Sequence, residues 1–274
     1  MAQHASAFRG TDLDQIDPFD PEDTNLWRKA EYLGRYLFAA DFLRQQPDIR
    51  IVADISCGLG YGAKELITAS ECVIGVDRSP ELMDMASRLF VGPDTPDADR
   101  AGTSHLGVNF LIKDLDSDDL APDIADGSVD AVVSFETIEH LIDPDRAVGQ
   151  FSKVLRQGGF LICSVPNVLW ESRDGAGLPK NKGHRQWFNF GSLCRMLEGH
   201  GMRVLYRLGQ SWSKSLHKRE QQLAHARRID RKLSDHQVMH SPEMIRLLSY
   251  IAAYPTVEDV DGSYSIIVVA RKDF

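Results

Sequence analysis

Several features are missing from this chain. No stretch of its 274 residues approaches 18 consecutive apolar positions, which argues against a membrane-spanning helix. Residues 1–20 are polar and acidic, without the apolar core of a signal peptide. Cysteine is scarce. Cys57, Cys72, Cys163 and Cys194 stand far apart with no C-x-x-C pair, so a disulfide scaffold is not encoded. Three of them lie in or beside apolar runs, and the expectation is buried, reduced thiols in a cytoplasmic protein. Positive charge is also in deficit: the net charge of −9 argues against a general affinity for nucleic acid or anionic membrane. There is no internal repeat and no low-complexity segment. What is present, 43% hydrophobic and 26% charged residues, suffices for one domain with a sizeable core.

The stretch that organises the rest is Ile51 to Gly62, IVADISCGLGYG. Ile51 to Ile55 reads as a short buried strand. Gly58, Gly60 and Gly62 follow, and then a helical pattern with Ala63, Leu66, Ile67 and Ala69 as its apolar positions. Strand, glycine turn and helix present backbone N–H groups to a ligand, and glycine is needed where a Cβ would block close approach. About 20 residues on, where dinucleotide folds place a ribose-binding acid, Asp77 ends the apolar run Cys72 to Val76. A carboxylate at that strand tip can accept both hydroxyls of a ribose. Gly58-Leu-Gly60-Tyr-Gly62-Ala63 fits G-x-G-x-x-A, so a nicotinamide-dependent oxidoreductase is one reading.

The same stretch resembles motif I of the class I S-adenosylmethionine (SAM) methyltransferases, D-x-G-C-G-x-G-x-G. Asp54, Cys57, Gly58, Gly60 and Gly62 match, and Ser56 stands where the family usually has glycine. The resemblance continues on both sides. Arg35-Tyr-Leu-Phe-Ala39 is similar to an R-Y-x-F-A helix that precedes motif I. Asp126 to His140, DGSVDAVVSFETIEH, resembles D-G-S-F-D-x-V-x-S-F-E-T-I-E-H almost residue for residue, and no nicotinamide dehydrogenase pattern covers it. Arg156-Gln-Gly158-Gly159 with the strand Phe160 to Val165 resembles R-V-L-K-P-G-G-x-L-x-x-S-x-P-N, with Gln157 for the usual proline. His184-Arg185-Gln-Trp187-Phe188 is similar to the family's H-x-R-E/Q-F/W stretch. In all, the resemblance covers roughly Arg35 to Leu208.

That resemblance implies an α/β fold with a Rossmann-like, doubly wound, seven-stranded sheet, mostly parallel with an antiparallel terminal strand. It implies SAM as cofactor. It assigns cofactor binding to Arg35 at the carboxylate and to Ser56, Gly58, Gly60 and Tyr61 in the glycine loop. Asp77 and Arg78 follow at the ribose, and Asp114 and Leu115 at the adenine, after a third strand Val108 to Ile112. Glu136 or Thr137 backs the cofactor and opens towards the substrate.

For organisation, residues 1–20 read as a flexible arm and 21–274 as a single methyltransferase domain. Pro21 to Thr24 reads as a helix start, with the helix running to about Gln45. Residues 92–107 read as an exposed loop. Residues 213–260 are extra relative to the smallest family members and read as a helical lid or dimerisation insertion before the last strand. Leu216, Leu223, Ala226, Ile229 and Leu233 would share one face there. Between Lys214 and Lys232 seven Lys/Arg stand against two Asp/Glu, a solvated basic face or a lid that draws an anionic substrate. Tyr264 to Ala270 is expected as an antiparallel edge strand.

Methyl transfer needs a nucleophile in line with the C–S bond of the sulfonium, and a hydroxyl nucleophile also needs a base. His140 and His184 are the candidates, because histidine titrates near neutrality. Each also has a purely structural role open to it, and Glu139 either orients His140 or faces solvent. Asp143, His140 and His184 offer metal donors, but no local spacing joins them and no metal is expected. Phe135-Glu-Thr-Ile138 stands where nucleic-acid amino-methyltransferases carry N/D-P-P-Y/F. The expected partner is therefore a small-molecule acceptor, at an oxygen of a sugar or secondary metabolite, with nitrogen or carbon as alternatives. Nucleic acid and membrane are not expected; a homodimer is one option, with the insertion as either lid or subunit contact. A SAM-binding protein without catalysis is the remaining reading.

Overall fold

Short runs rich in valine and isoleucine build the sheet. In the computed structural model, which describes residues 17–20, 22–91, 107–171, 173–177, 180–257 and 261–273, these runs are β1 (Ile51–Ile55), β2 (Cys72–Asp77), β3 (Val108–Ile112), β4 (Val129–Phe135), β5 (Leu155–Pro166), β6 (Met202–Gln210) and β7 (Ser265–Lys272). Most of the expected arm and of the expected loop at 92–107 lies outside the described residues. The strands form one sheet in the order β3-β2-β1-β4-β5-β7-β6. The first five run parallel, and β7 is antiparallel to both β5 and β6. This is the doubly wound, mostly parallel sheet expected from the sequence.

Both faces are covered. α1 (Leu26–Arg44) and α2 (Tyr61–Leu66) lay Tyr36, Ala39, Leu43, Ala63 and Leu66 on one face, against Val52, Ala131, Val133 and Ile162. α4 (Pro144–Val154) and α5 (Phe190–Gly199) lay Ala147, Val148, Phe151, Leu193 and Leu197 on the other, against Ala53, Ile55, Val132 and Leu161. The strand residues alternate between the two clusters, as a period of two requires. Because both clusters are apolar, β4 is buried along its whole length. α3 (Pro80–Val91) contributes Leu82, Met83 and Ala86, which pack on Cys57 beneath the glycine loop. α6 (Trp212–His225) and α7 (Pro242–Ala252) come from the expected insertion, and α7 packs Ile245, Leu248 and Ala252 against α1. Among the described residues no helix is long and apolar enough to cross a membrane.

Three expectations change. α1 begins at Leu26, not in the Pro21–Thr24 stretch, because Asn25 caps it by accepting from the Arg28 backbone N–H at 3.2 Å. β7 is not at the edge: it lies between β5 and β6, and its run Ile266 to Ala270 is fully buried on both faces. The apolar face drawn through Leu216 and Leu233 is not the buried one. α6 ends at His225, Leu216 and Leu233 are exposed, and the buried residues of α6 are Ser213 and Glu220. Glu220 accepts from Trp27 Nε1 at 3.1 Å, so a polar contact with α1 sets the helix's rotation.

Candidate active site

From β1 the chain winds outward through β2 and β3, then returns to β4 on β1's other side. A sheet of this kind opens a crevice beyond the C-terminal ends of the strands at that reversal. Ser56, Gly58, Gly60 and Tyr61 follow β1, Asp77 ends β2, Asp114 and Leu115 follow β3, and Glu136 follows β4. Thus the topology brings the sequence-assigned cofactor residues to one rim.

The glycine loop is built from left-handed backbone: φ is +61° at Ser56, +54° at Gly58 and +75° at Gly60. The family's usual glycine at the position of Ser56 is explained by this, since a side chain there strains the turn. A Cβ on Gly60 would sit 2.9 Å from the Phe110 ring, and one on Gly62 would sit 2.1 Å from the Tyr36 ring. Gly62 is glycine for packing, and Gly60 both for packing and for its left-handed backbone. At Gly58 a Cβ would meet nothing within 4 Å, so its backbone faces open space that a ligand can fill.

Asp77 is tied to this loop. Its Oδ2 accepts from the Gly58 N–H at 3.0 Å and its Oδ1 from the Ser79 N–H at 3.1 Å. Each oxygen keeps a second lone pair for a ribose hydroxyl. The Lys113 N–H donates to the Asp77 carbonyl at 3.0 Å, which holds the tip of β3 beside that of β2. Asp114 Oδ1 accepts from the Asp116 N–H at 3.0 Å, Leu115 is buried, and Arg78 is exposed.

Arg35 and Asp54 are among the buried groups with unmet hydrogen bonds. Arg35, on α1, is 3% exposed. Its Nη1 donates to Gln210 Oε1 at 3.2 Å and to Ser265 Oγ at 3.3 Å, and lies 3.4 Å from Glu136 Oε1. Its Nε and Nη2 have no partner. On β1, Asp54 Oδ1 accepts from the Tyr36 hydroxyl at 2.9 Å, while Oδ2 has no partner. Burial, reinforced by nearby Asp77 and opposed by the Tyr36 hydrogen bond, pushes Asp54 up to about 7. A buried guanidinium fork and a buried carboxylate oxygen left unsatisfied are costly. An α-amino acid group offers the complement of each, a carboxylate for Arg35 and an ammonium for Asp54. With Asp77 placed for a ribose, these residues fit SAM.

Glu136 closes this end. Its backbone is left-handed, with φ at +49°, and its Oε1 accepts from Ser164 Oγ and Ser265 Oγ, each at 2.7 Å. Tyr61 stacks edge-on to Tyr36, ring centroids 5.2 Å apart.

The two histidines also meet. His140 ends a 3₁₀ turn (Ile138–His140) after β4, and its ring centroid lies 4.9 Å from that of His184. The Arg185 and Gln186 N–H groups donate to the Glu139 carbonyl at 2.8 and 3.0 Å, which clamps the His184 loop onto that turn. Glu171 pairs with His184 Nδ1. Glu139 does not face solvent: it is 1% exposed. Asp143 stands outside this group and caps α4, accepting from the Arg146 N–H at 3.0 Å. A cleft of about 560 Å³ adjoins His184 and is lined by Asp174, Lys180, Asn181, Lys182, Arg185 and Trp187.

Sequence reading left Gln210, Ser164, Ser265 and Glu171 without a role, and passed over Asp54 beyond its motif match. No local signal marks the first four, because each acts through a partner distant in the chain. Asp54 was visible: an acid inside an apolar strand needs a reason to be there.

Residues 53–163 match a family model described as a methyltransferase domain. A probable S-adenosylmethionine-dependent methyltransferase of Mycolicibacterium smegmatis is 29% identical over 231 residues, 81% of each chain. A ubiquinone biosynthesis O-methyltransferase of Xanthomonas axonopodis is 29% identical over 124 residues, 45% of this chain and 46% of that protein, so the chain spans less than half of that relative. An S-adenosylmethionine-dependent methyltransferase structure from Mesorhizobium loti superposes with a TM-score of 0.51 at 18% identity, covering 88% of this chain and 97% of the other, which speaks to the fold. With the strand order, the glycine loop and the matched segment in agreement, the chain is an S-adenosylmethionine-dependent methyltransferase with S-adenosylmethionine as its cofactor, and its likeness is to the class I enzymes.

Proposed function

We propose that the enzyme methylates a hydroxyl oxygen of a small, anionic acceptor such as a sugar-linked or secondary metabolite. The observation that carries this reading is the cleft beside His184. Lys180, Lys182 and Arg185 supply positive charge, and Trp187, 41% exposed, supplies an aromatic face, a combination suited to a sugar ring bearing an acidic group. The O-methyltransferase relative supports oxygen as the acceptor atom. The net charge of −9 sits poorly with a nucleic-acid substrate.

SAM supplies an electrophilic methyl on a sulfonium. The chain's own residues do the rest. Arg35 and Asp54 hold the amino-acid end, Asp77 the ribose, and Asp114 with the Leu115 N–H the adenine. Glu136, braced by Ser164 and Ser265, fixes Arg35 from behind. The acceptor enters from the Trp187 cleft, and its hydroxyl is activated at the His140–His184 pair. We assign residues 212–254 the role of a lid over α1, since α7 packs on the helix that carries Arg35. Alignment of the two reactants in a closed pocket supplies most of the rate.

Incubation with methyl-labelled SAM and small-molecule extracts of the producing cells, followed by mass spectrometry, tests this. Label should appear on an anionic hydroxyl compound, and Lys182→Ala should raise KM for it. Label confined to nucleic acid or protein would overturn the reading.

A further inference from the structure

We propose that Glu139, His140 and His184 form a binding site for a divalent first-row transition cation. One donor atom from each of the three lies within 4.8 Å of the other two. They come from two segments, the turn after β4 and the loop before α5, and the backbone bonds to the Glu139 carbonyl hold these together.

The hydrogen bonds around the site set its chemistry. His140 Nδ1 lies 3.0 Å from the Gly183 carbonyl, which can only accept. Nδ1 therefore carries the proton and Nε2 the lone pair. His184 Nδ1 donates to the Glu171 carboxylate, and its Nε2 lies 2.8 Å from the Asn181 amide nitrogen. That amide is oriented by its own oxygen, which accepts from the Gly183 N–H at 3.0 Å. So Nε2 is the acceptor on both rings. A ring nitrogen held by a carbonyl or a carboxylate, with the other carrying the lone pair, is the arrangement found behind metal-bound histidine; on His184 that lone pair accepts from the Asn181 amide, which an incoming ion displaces.

Glu139 is the second, independent observation. It is 1% exposed, and neither carboxylate oxygen has a hydrogen-bond partner. Its Oε1 faces His140 Nε2 at 3.7 Å, too far for a hydrogen bond and suited to two ligands flanking one ion. Two imidazole nitrogens and one carboxylate oxygen suit Zn²⁺, Mn²⁺, Fe²⁺ or Co²⁺ better than Mg²⁺ or Ca²⁺, which prefer all-oxygen shells. Three protein ligands leave positions open.

His184 also lines the acceptor cleft, which puts the site at the cleft's edge. Resting on the proposed function, the cation binds the acceptor hydroxyl and lowers its pKa, and the proton leaves to solvent. The oxygen's electron pair then forms the C–O bond as the C–S bond breaks. Activation at the histidine pair is thus by the bound ion.

The test is metal binding itself, which needs no acceptor. Full-length protein stripped with EDTA is titrated with Co²⁺, followed by calorimetry and by visible absorption of the ligand field. S-adenosylhomocysteine binding is measured on the same samples to report an intact fold and cofactor site. The wild type should bind one equivalent of Co²⁺ per chain with a ligand-field spectrum. Glu139→Gln and His184→Ala should lose that equivalent, and Glu171→Gln should weaken it by about 10–100-fold, all with S-adenosylhomocysteine binding retained. Absence of stoichiometric Co²⁺ binding in wild type, or equal binding by Glu139→Gln, would overturn the site. Loss of S-adenosylhomocysteine binding by the wild type would instead sink the methyltransferase reading.

Discussion

Asp54 is the residue whose environment says most. Its folded pKa is raised to about 7, so the cofactor-free fold favours the protonated acid. Because the unfolded chain releases that proton at lower pH, the group's contribution to stability is greatest in acid and declines as pH rises from about 4 to about 7. An ammonium ligand reverses the preference. Below about pH 7, binding must expel the proton, so affinity for S-adenosylhomocysteine should rise about tenfold per unit between pH 5 and 7 and level off above. Calorimetry across that range checks it, and Asp54→Asn should flatten the slope. Asp77→Ala removes a charged acceptor for the ribose and should weaken both SAM and S-adenosylhomocysteine by about 10–100-fold. Ser56 sits at φ +61° without need of its side chain for the turn. Ser56→Gly should therefore stabilise the fold by about 1 kcal/mol, read as a higher urea midpoint at unchanged slope. At this scale the motif residues were legible, because glycine and acid spacings are local. Gln210 and Ser265, which position Arg35, were not: they sit on β6 and β7, far along the chain.

Between elements, the contact that holds α1, and with it Arg35, is the one with α7. Gly34 makes it possible, since a Cβ there would lie 2.5 Å from the Ala253 carbonyl oxygen. Backbone cannot rotate away as a side chain can. Gly34→Ala should cost about 1–3 kcal/mol of stability and weaken cofactor binding, because α1 carries Arg35 and Tyr36. Gly199→Ala, where a Cβ would meet nothing within 4 Å, is the control and should leave cofactor affinity unchanged. Denaturant melts with parallel titrations would show the contrast. Helix starts at Ser79, Asp143 and Ser241 were legible as serine or aspartate before proline, and each side chain does cap its helix. The position of β7 was not, since an apolar run says that a strand is buried but not which strands flank it.

For the whole molecule, cofactor binding and folding are one equilibrium. S-adenosylhomocysteine at about 100 times its Kd should stabilise the fold by about 2.7 kcal/mol, seen as a rise in melting temperature, and reduced nicotinamide cofactor should give no rise. The amino-acid sequence by itself determined the fold class, the strand–glycine–helix unit, the acids at the strand tips and hence the cofactor, because these depend on short spacings and on which runs are apolar. Tertiary structure alone decided that Arg35 and Asp54 leave complementary buried atoms open, that Glu139 joins His140 and His184 where Asp143 does not, and that a basic, aromatic cleft borders His184. Those are meetings between segments tens of residues apart, and only the packed sheet sets their distances.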